Sequence, residues 1–182
     1  MSSIKLKGST SGDVTITVPA VAGTNTLTIP ASTGTVLTDT APKAGNILQV
    51  VNVLYTTATS TASSALVDTG LSASITPSSI SSKVLVFVNL AGLFSSSATV
   101  GQFTITDGSN NILLNFEGLT AYSLSAGTSY GEAGTNYLHS PATTSSFTYK
   151  VRMKNVAGTG ISINTVTSGV CTSTITLMEV AG

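Results

Sequence analysis

Charge is scarce in this sequence. Charged residues make up 8% of the 182 residues, and the formal net charge at pH 7 is +0. A typical soluble domain has about 25% charged residues. Without an acidic or basic excess, the chain has no overall field to attract nucleic acid or to steer a charged substrate. We therefore expect no nucleic-acid partner.

Residues that carry catalytic or metal chemistry are equally scarce. The single cysteine, Cys171, and the single histidine, His139, exclude an internal disulfide and leave no Cys- or His-based metal cluster. Glu117 and Glu132 are the one candidate carboxylate pair for glycan hydrolysis, but such enzymes usually need a much larger, grooved fold. We expect no enzyme activity, no cofactor and no metal.

Membrane and export signals are also missing. No apolar run approaches the roughly 18 residues of a membrane-spanning helix. Lys5 and Lys7 are followed by Gly and Ser rather than by an apolar signal-peptide core, so we expect neither membrane insertion nor a signal peptide. Hydrophobic residues nevertheless reach 41%, which argues against disorder. An exposed-looking β-protein without an export signal fits a product released by lysis inside a virus particle.

A tandem repeat is the clearest positive feature. Residues 15–24 read TITVPAVAGT and residues 26–35 read TLTIPASTGT. Each copy predicts a short strand that ends at Pro, which cannot donate to a ladder, and a Gly that permits the turn. Two such units cannot bury their apolar side alone, so neighbouring chains are expected to complete a stalk. The residues predicted to line this trimer stalk are Ile16, Val18, Leu27 and Ile29.

The local composition of the sequence divides the chain into three parts. Residues 1–12 predict an attachment arm with a Gly/Ser/Thr-rich hinge, residues 13–45 a β-stalk with its linker, and residues 46–182 a knob domain. Lys5 and Lys7 are the candidate virion-attachment residues of the arm. No segment of the knob has sustained helical periodicity. Strands are predicted at 47–55, 65–75, 83–94, 99–106, 111–117, 146–154, 161–167 and 173–180.

Short strands with Gly, Ser and Asn turns predict an all-β knob, an antiparallel β-sandwich of jelly-roll type. Residues 107–110 and 157–160 are hairpin signals. The strand at 83–91 is apolar on both faces, so it needs cover on both. Loops of the other sheet or a partner subunit would provide the second cover, and the stalk favours the subunit.

Two sets of surface residues are candidates for recognition. In 146–154, Phe147 and every second residue after it are predicted to face inward, which leaves a basic stripe outside, Lys150, Arg152 and Lys154. This stripe would meet anionic glycans or an acidic capsid surface, or it is simply a solvated face. The stretch 118–145 is predicted to be irregular. Its tyrosines, Tyr122, Tyr130 and Tyr137, would stack on sugars, or would pack in the core or between subunits.

The repeat resembles a segment that recurs in virion proteins of tailed bacteriophages, notably fibre-like ones. The knob resembles the same proteins at residues 67–77, at 140–144 and at 173–180. The resemblance covers nearly the whole chain. It implies a homotrimeric, all-β structural component of the virion, commonly a tail fibre that binds the host, and it brings no catalytic residues.

These observations predict a short trimeric tail-fibre-type protein. The arm would attach to other virion proteins, and the knob would contact a host-surface glycan. The alternative is a capsid decoration or head-fibre protein, held on the capsid by the arm. A cellular adhesin is disfavoured because no signal peptide is expected.

Overall fold

The computed structural model describes residues 3–17, 20–21, 23–24, 42–95, 99–118, 129–165 and 171–182. Every regular element in these ranges is a β-strand. The described ranges therefore contain no helix long and apolar enough to cross a membrane. The chain forms two compact units. Residues 1–36, which take in the predicted attachment arm and much of the predicted stalk, are termed the arm from here on, and residues 37–182 are termed the head.

The described residues of the arm form an antiparallel hairpin of β1 (Ser3–Lys7) and β2 (Asp13–Thr17). The residues predicted as a hinge, 8–12, form its turn, in which the Gly8 amide donates to the Gly12 carbonyl at 2.9 Å. The strand predicted at the start of the first repeat copy is thus present as β2, and it pairs with the preceding strand, β1. The second copy lies outside the described residues, and so do Val18, Leu27 and Ile29.

The head is built from ten described strands. They are β3 (Ile47–Tyr55), β4 (Thr59–Thr61), β5 (Val67–Ile75), β6 (Lys83–Ser95), β7 (Val100–Asp107), β8 (Ile112–Gly118), β9 (Ser129–His139), β10 (Phe147–Ala157), β11 (Ile161–Ile163) and β12 (Ser173–Val180). One sheet has the order β5-β10-β7-β8. The other has the order β3-β12-β6-β11-β4, with β9 also paired to β6.

The eight longer strands of the head pair in a nested order. The first pairs with the last (β3–β12), and β5–β10, β6–β9 and β7–β8 follow inward, all antiparallel. A long two-stranded ribbon folded over on itself gives this pattern, which is that of a jelly roll. The predicted all-β, jelly-roll-like sandwich is therefore confirmed.

The inner faces of the two sheets supply the core. Tyr149, Val151 and Met153 of β10 are at most 1% exposed, as the predicted alternation requires. Val84, Val86 and Leu90 of β6 face them from the other sheet and are fully buried. The predicted strands at 47–55 and 173–180 have the bounds of β3 and β12. The other predicted strands differ from the observed ones by at most three residues at either end, except that β11 ends at Ile163, four residues before the predicted end at 167.

Two local predictions are wrong. Within the stretch predicted to be irregular, 118–145, residues 129–139 instead form β9, which pairs with β6 over nearly its whole length. Ladder bonds to a long buried strand override the weak strand propensity of Gly131 and Gly134. The signal at 157–160 is not a hairpin either. It connects β10 to β11, and these strands belong to different sheets.

Candidate interaction surfaces

The arm hairpin has one apolar face and one polar face. Ile4 lies opposite Ile16 and Leu6 opposite Val14, and all four side chains are 46% to 65% exposed. Lys5 and Lys7 alternate with them on the other face, where the Lys5 ammonium lies 3.2 Å from the Asp13 carboxylate. Ile16, the one predicted stalk residue that is described, thus belongs to a continuous apolar strip.

The predicted basic stripe lies on the outer face of the sheet β5-β10-β7-β8, here termed the polar face. Lys150 and Arg152 both form ion pairs with Asp68 on the neighbouring β5, at 2.7 Å each. Arg152 Nη2 also donates to the Leu66 carbonyl at 2.7 Å, and Lys150 Nζ donates to Asn110 Oδ1 at 2.8 Å. The side chains of Lys150 and Arg152 are only 20% and 17% exposed.

Asp68 partly neutralises this stripe. Burial disfavours its ionised form, but the hydrogen bond and charge of Lys150, together with the charge of Arg152, outweigh burial and hold the pKa of Asp68 below its usual value. Lys154, the third residue of the stripe, lies on the same face, opposite Gln102. Two of the three cations predicted for recognition are therefore held by ion pairs and hydrogen bonds within the head.

The predicted tyrosine set is only partly described. Tyr122 lies outside the described residues, and Tyr130 is described by its backbone position in β9, opposite Phe94. Tyr137 is half-buried and stacks on His139 with ring centroids 5.7 Å apart. Tyr137 thus packs within an aromatic cluster of the head.

His139 and Tyr149 form the polar centre of that cluster. His139 Nδ1 and the Tyr149 hydroxyl are 2.9 Å apart, and the Phe147 ring lies against both residues. Burial lowers the pKa of His139, a shift that the Asp107 carboxylate opposes. Burial also raises the pKa of Tyr149 above its usual value. A mostly neutral imidazole that satisfies a buried hydroxyl has a structural role.

Glu179, near the end of β12, is a site that the sequence reading did not single out. Its side chain is 0% exposed. Oε1 accepts hydrogen bonds from the Ser78 amide and the Ser78 hydroxyl, both at 2.7 Å, and Oε2 accepts one from Gln49 Nε2 at 2.6 Å. Burial opposes its ionisation, but these hydrogen bonds leave the pKa of Glu179 below its usual value. The carboxylate of β12 thus links the β5–β6 connection, which contains Ser78, to Gln49 of β3.

The other residues weighed for chemistry are dispersed. Glu117 is on β8 and Glu132 on β9, which belong to different sheets. Asp107 closes the predicted turn, where its carboxylate accepts from the Ser109 and Asn111 amides at 2.8 Å each. Half-buried Cys171 lies against Gly92. Within the described ranges, no three His, Cys, Asp or Glu side chains are grouped so as to hold a metal ion.

An open pocket of about 220 Å³ lies at the β4–β11 end of the head. Its walls are uncharged and mostly small: Ser60, Thr61, Ala62, Phe94, Thr159, Gly160, Ile161 and Ser162.

The outer face of β3, β12, β6 and β9, here termed the uncharged face, differs sharply from the polar face. Large apolar side chains on it, including Val50, Leu54, Phe87 and Leu138, are 41% to 66% exposed. Phe87 belongs to the strand that was predicted to need cover on both faces. Its inner neighbours are buried in the core, whereas no other described part of the head covers this outer side.

No family model and no curated protein sequence matches the chain. Among solved structures it is similar to a chain of the infectious bursal disease virus Gx strain, with a TM-score of 0.39 and 13% identity over 97% of this chain and 41% of that one. It is also similar to a mutant VP2 protein of the same virus in derived T=1 particles, with a TM-score of 0.34 and 12% identity over 93% of this chain and 46% of that one. The chain spans less than half the length of either.

Proposed function

We propose that this protein is a homotrimeric structural component of a virus particle. The arm would hold three copies together and attach them to other virion proteins, and the head would be presented on the particle. The observation that carries this proposal is the apolar strip of the arm hairpin, Ile4, Leu6, Val14 and Ile16, which is exposed in the arm.

A two-stranded hairpin is at best marginally stable alone in water. One that exposes four aliphatic side chains on a single face needs a partner surface for that face. Identical hairpins around a three-fold axis provide one, because each contributes the same strip to a shared interior. Lys7 lies on the opposite face together with Lys5, whose ion pair with Asp13 is exposed, so both lysines can reach an acidic surface of another virion protein.

The jelly-roll head supports the same proposal by analogy of fold. Jelly rolls occur in viral capsid and lectin domains, and fold alone does not fix function. The resemblance of the repeat and of the head strands to phage fibre-like proteins adds to this support. A tail-fibre-type protein whose head contacts a host-surface glycan is therefore the first candidate.

A capsid decoration protein is the second candidate, and one observation favours it. Lys150 and Arg152 are held by Asp68 rather than free to meet a glycan. Immunogold labelling of purified particles separates the two. A few labels at the tail would support the fibre, and many over the capsid would support decoration. Particles without the protein would overturn the virion role.

The role of the arm is tested on the full chain with Ile16→Thr, which places a hydroxyl in the apolar strip. Thr15→Ser, on the other face of the same strand, is the matched control. Sedimentation velocity should show Ile16→Thr dissociating at higher protein concentration than the wild type, with Thr15→Ser unchanged. If Ile16→Thr assembled as the wild type does, the apolar strip would not be part of the trimer contact.

A further inference from the structure

The two outer faces of the head have opposite chemistry. The polar face carries Lys150, Arg152, Lys154 and Asp68 among Ser, Thr and Asn side chains. On the uncharged face, twelve consecutive outward positions of the four strands carry no charge. They are Val50, Asn52, Leu54, Leu85, Phe87, Asn89, Gly134, Asn136, Leu138, Thr174, Thr176 and Met178. An antiparallel sheet that faces water is normally polar on that side.

The strand register aligns the apolar side chains of the uncharged face into a row. Leu138 lies opposite Leu85, Leu85 opposite Met178, and Met178 opposite Val50. This row crosses β9, β6, β12 and β3, a distance of about 14 Å at the usual strand spacing. Phe87 lies one outward position further along β6 and is 41% exposed.

Charges occur only at the two ends of this face. Lys83 precedes the row on β6, and Glu132 lies beyond Gly134 on β9, where it faces outward because the next residue, Ala133, is buried opposite Leu90. Both are exposed, and neither forms an ion pair within the described part of the chain. At the usual rise per residue, about 26 Å of strand separates the two ends.

We infer that the uncharged face is buried against the other two copies in the trimer, with its strands running around the three-fold axis. The apolar row then runs parallel to the axis, about 7 Å from the Lys83 end of the face, and Lys83 of one copy meets Glu132 of the next. This inference rests on the proposed trimer. Cyclic packing joins neighbours head to tail, so it brings opposite ends of the face together. Strands aligned with the axis would instead gather three Lys83 ammonium groups at one end.

The area of the face is that of a partial contact. Four strands at about 4.8 Å spacing and about 26 Å of length give a footprint of about 500 Å² per copy. A standard two-partner interface buries about 800 Å² on each partner, so the face supplies part of the trimer contact and the apolar strip of the arm supplies the rest. An uncharged interior with opposite charges at its margins also has the anatomy of a protein interface.

Cross-linking tests the assignment on the full chain. In a Cys171→Ala background, Phe87→Cys places one thiol beside the expected axis, and Ser72→Cys places the control thiol on the polar face, where Ser72 is exposed. A short bis-maleimide should link Phe87→Cys chains in pairs and leave Ser72→Cys chains mostly single. Equal linkage of both variants would overturn the assignment.

Sedimentation of the unmodified protein separates this failure from that of the trimer. A trimeric mass without Phe87→Cys linkage would be consistent with the proposed function. It would show that the uncharged face is not part of the trimer interface. A monomeric mass would overturn both.

Charge reversal tests the head-to-tail arrangement. Lys83→Glu alone should weaken trimer association about tenfold, because three exposed ion pairs per trimer become repulsive. The double variant Lys83→Glu with Glu132→Lys should recover most of the loss. Lys154→Glu on the polar face is the matched control. A double variant no better than Lys83→Glu, or a Lys154→Glu loss of equal size, would overturn the proposed pairing.

Discussion

Replacing Glu179 by Gln should destabilise the head strongly although the change is nearly isosteric. The carboxylate accepts hydrogen bonds from the Ser78 amide, the Ser78 hydroxyl and Gln49 Nε2 in a fully buried site. A glutamine amide turns one acceptor into a donor, so it must face either the Ser78 amide or Gln49 Nε2. Gln49 is not free to rotate without loss, because the same Nε2 donates to the Thr76 carbonyl at 2.7 Å.

The magnitude follows from the bonds that are lost. A hydrogen bond to a charged group contributes about 1.5–3 kcal/mol, and at least one is replaced by a buried donor facing a donor. We expect Glu179→Gln to lower the free energy of unfolding of the head by about 2–3 kcal/mol at pH 7. Urea denaturation at a fixed protein concentration measures it. Asp13→Asn, the same type of change in the exposed arm, should leave the transition of the head unchanged.

Acid should erase this difference. The folded pKa of Glu179 lies below its usual value, so ionised Glu179 stabilises the head above the unfolded pKa of about 4.3. This contribution is lost as the pH falls through the folded pKa. The gap between wild type and Glu179→Gln should therefore be full at pH 7 and shrink below about pH 4. A gap below 0.5 kcal/mol at pH 7, or one independent of pH, would refute the role of the carboxylate.

Two further substitutions test other parts of the head. Gly70→Ala should cost about 1–3 kcal/mol, since Gly70 has a φ of 94° and an added Cβ would overlap the Tyr55 hydroxyl; a loss below 0.5 kcal/mol in urea denaturation would contradict this reading. Asp68→Ala should cost about 1 kcal/mol, because it leaves Lys150 and Arg152 without their carboxylate. Since Asp68 is half-exposed, this loss should shrink in 1 M salt, and a salt-independent loss would show that packing, not charge, is responsible.

The sequence predicted the head best where a strand has one apolar and one polar side. In β10, alternation identified the buried Tyr149, Val151 and Met153 correctly. It failed for β9, whose inward residues include the small Ala133 and the polar His139, so that the contrast between its two sides is weak. Hydrogen bonds to β6 stabilise β9 as a strand. A local sequence pattern does not show which distant segments of the chain will pair.

The alternation of inward and outward residues in β12 also indicates that Glu179 is buried, although the sequence reading did not predict it. Ile175 and Leu177 point inward from β12, and the same spacing puts Glu179 on the inner face next. A charge in register with core residues indicates a buried, satisfied carboxylate. The pairing of Asp68 with Lys150 and Arg152 carried no such local signal, because it depends on which strand lies beside β10 and on the bulge between them.

The mass of the full chain in solution tests the central claim most directly. Sedimentation equilibrium over a range of concentrations should give three times the 18.3 kDa chain mass, with dissociation only at high dilution. A single 18.3 kDa species at every concentration would contradict the account, because the apolar strip of the arm and the uncharged face of the head would then both stay open to water.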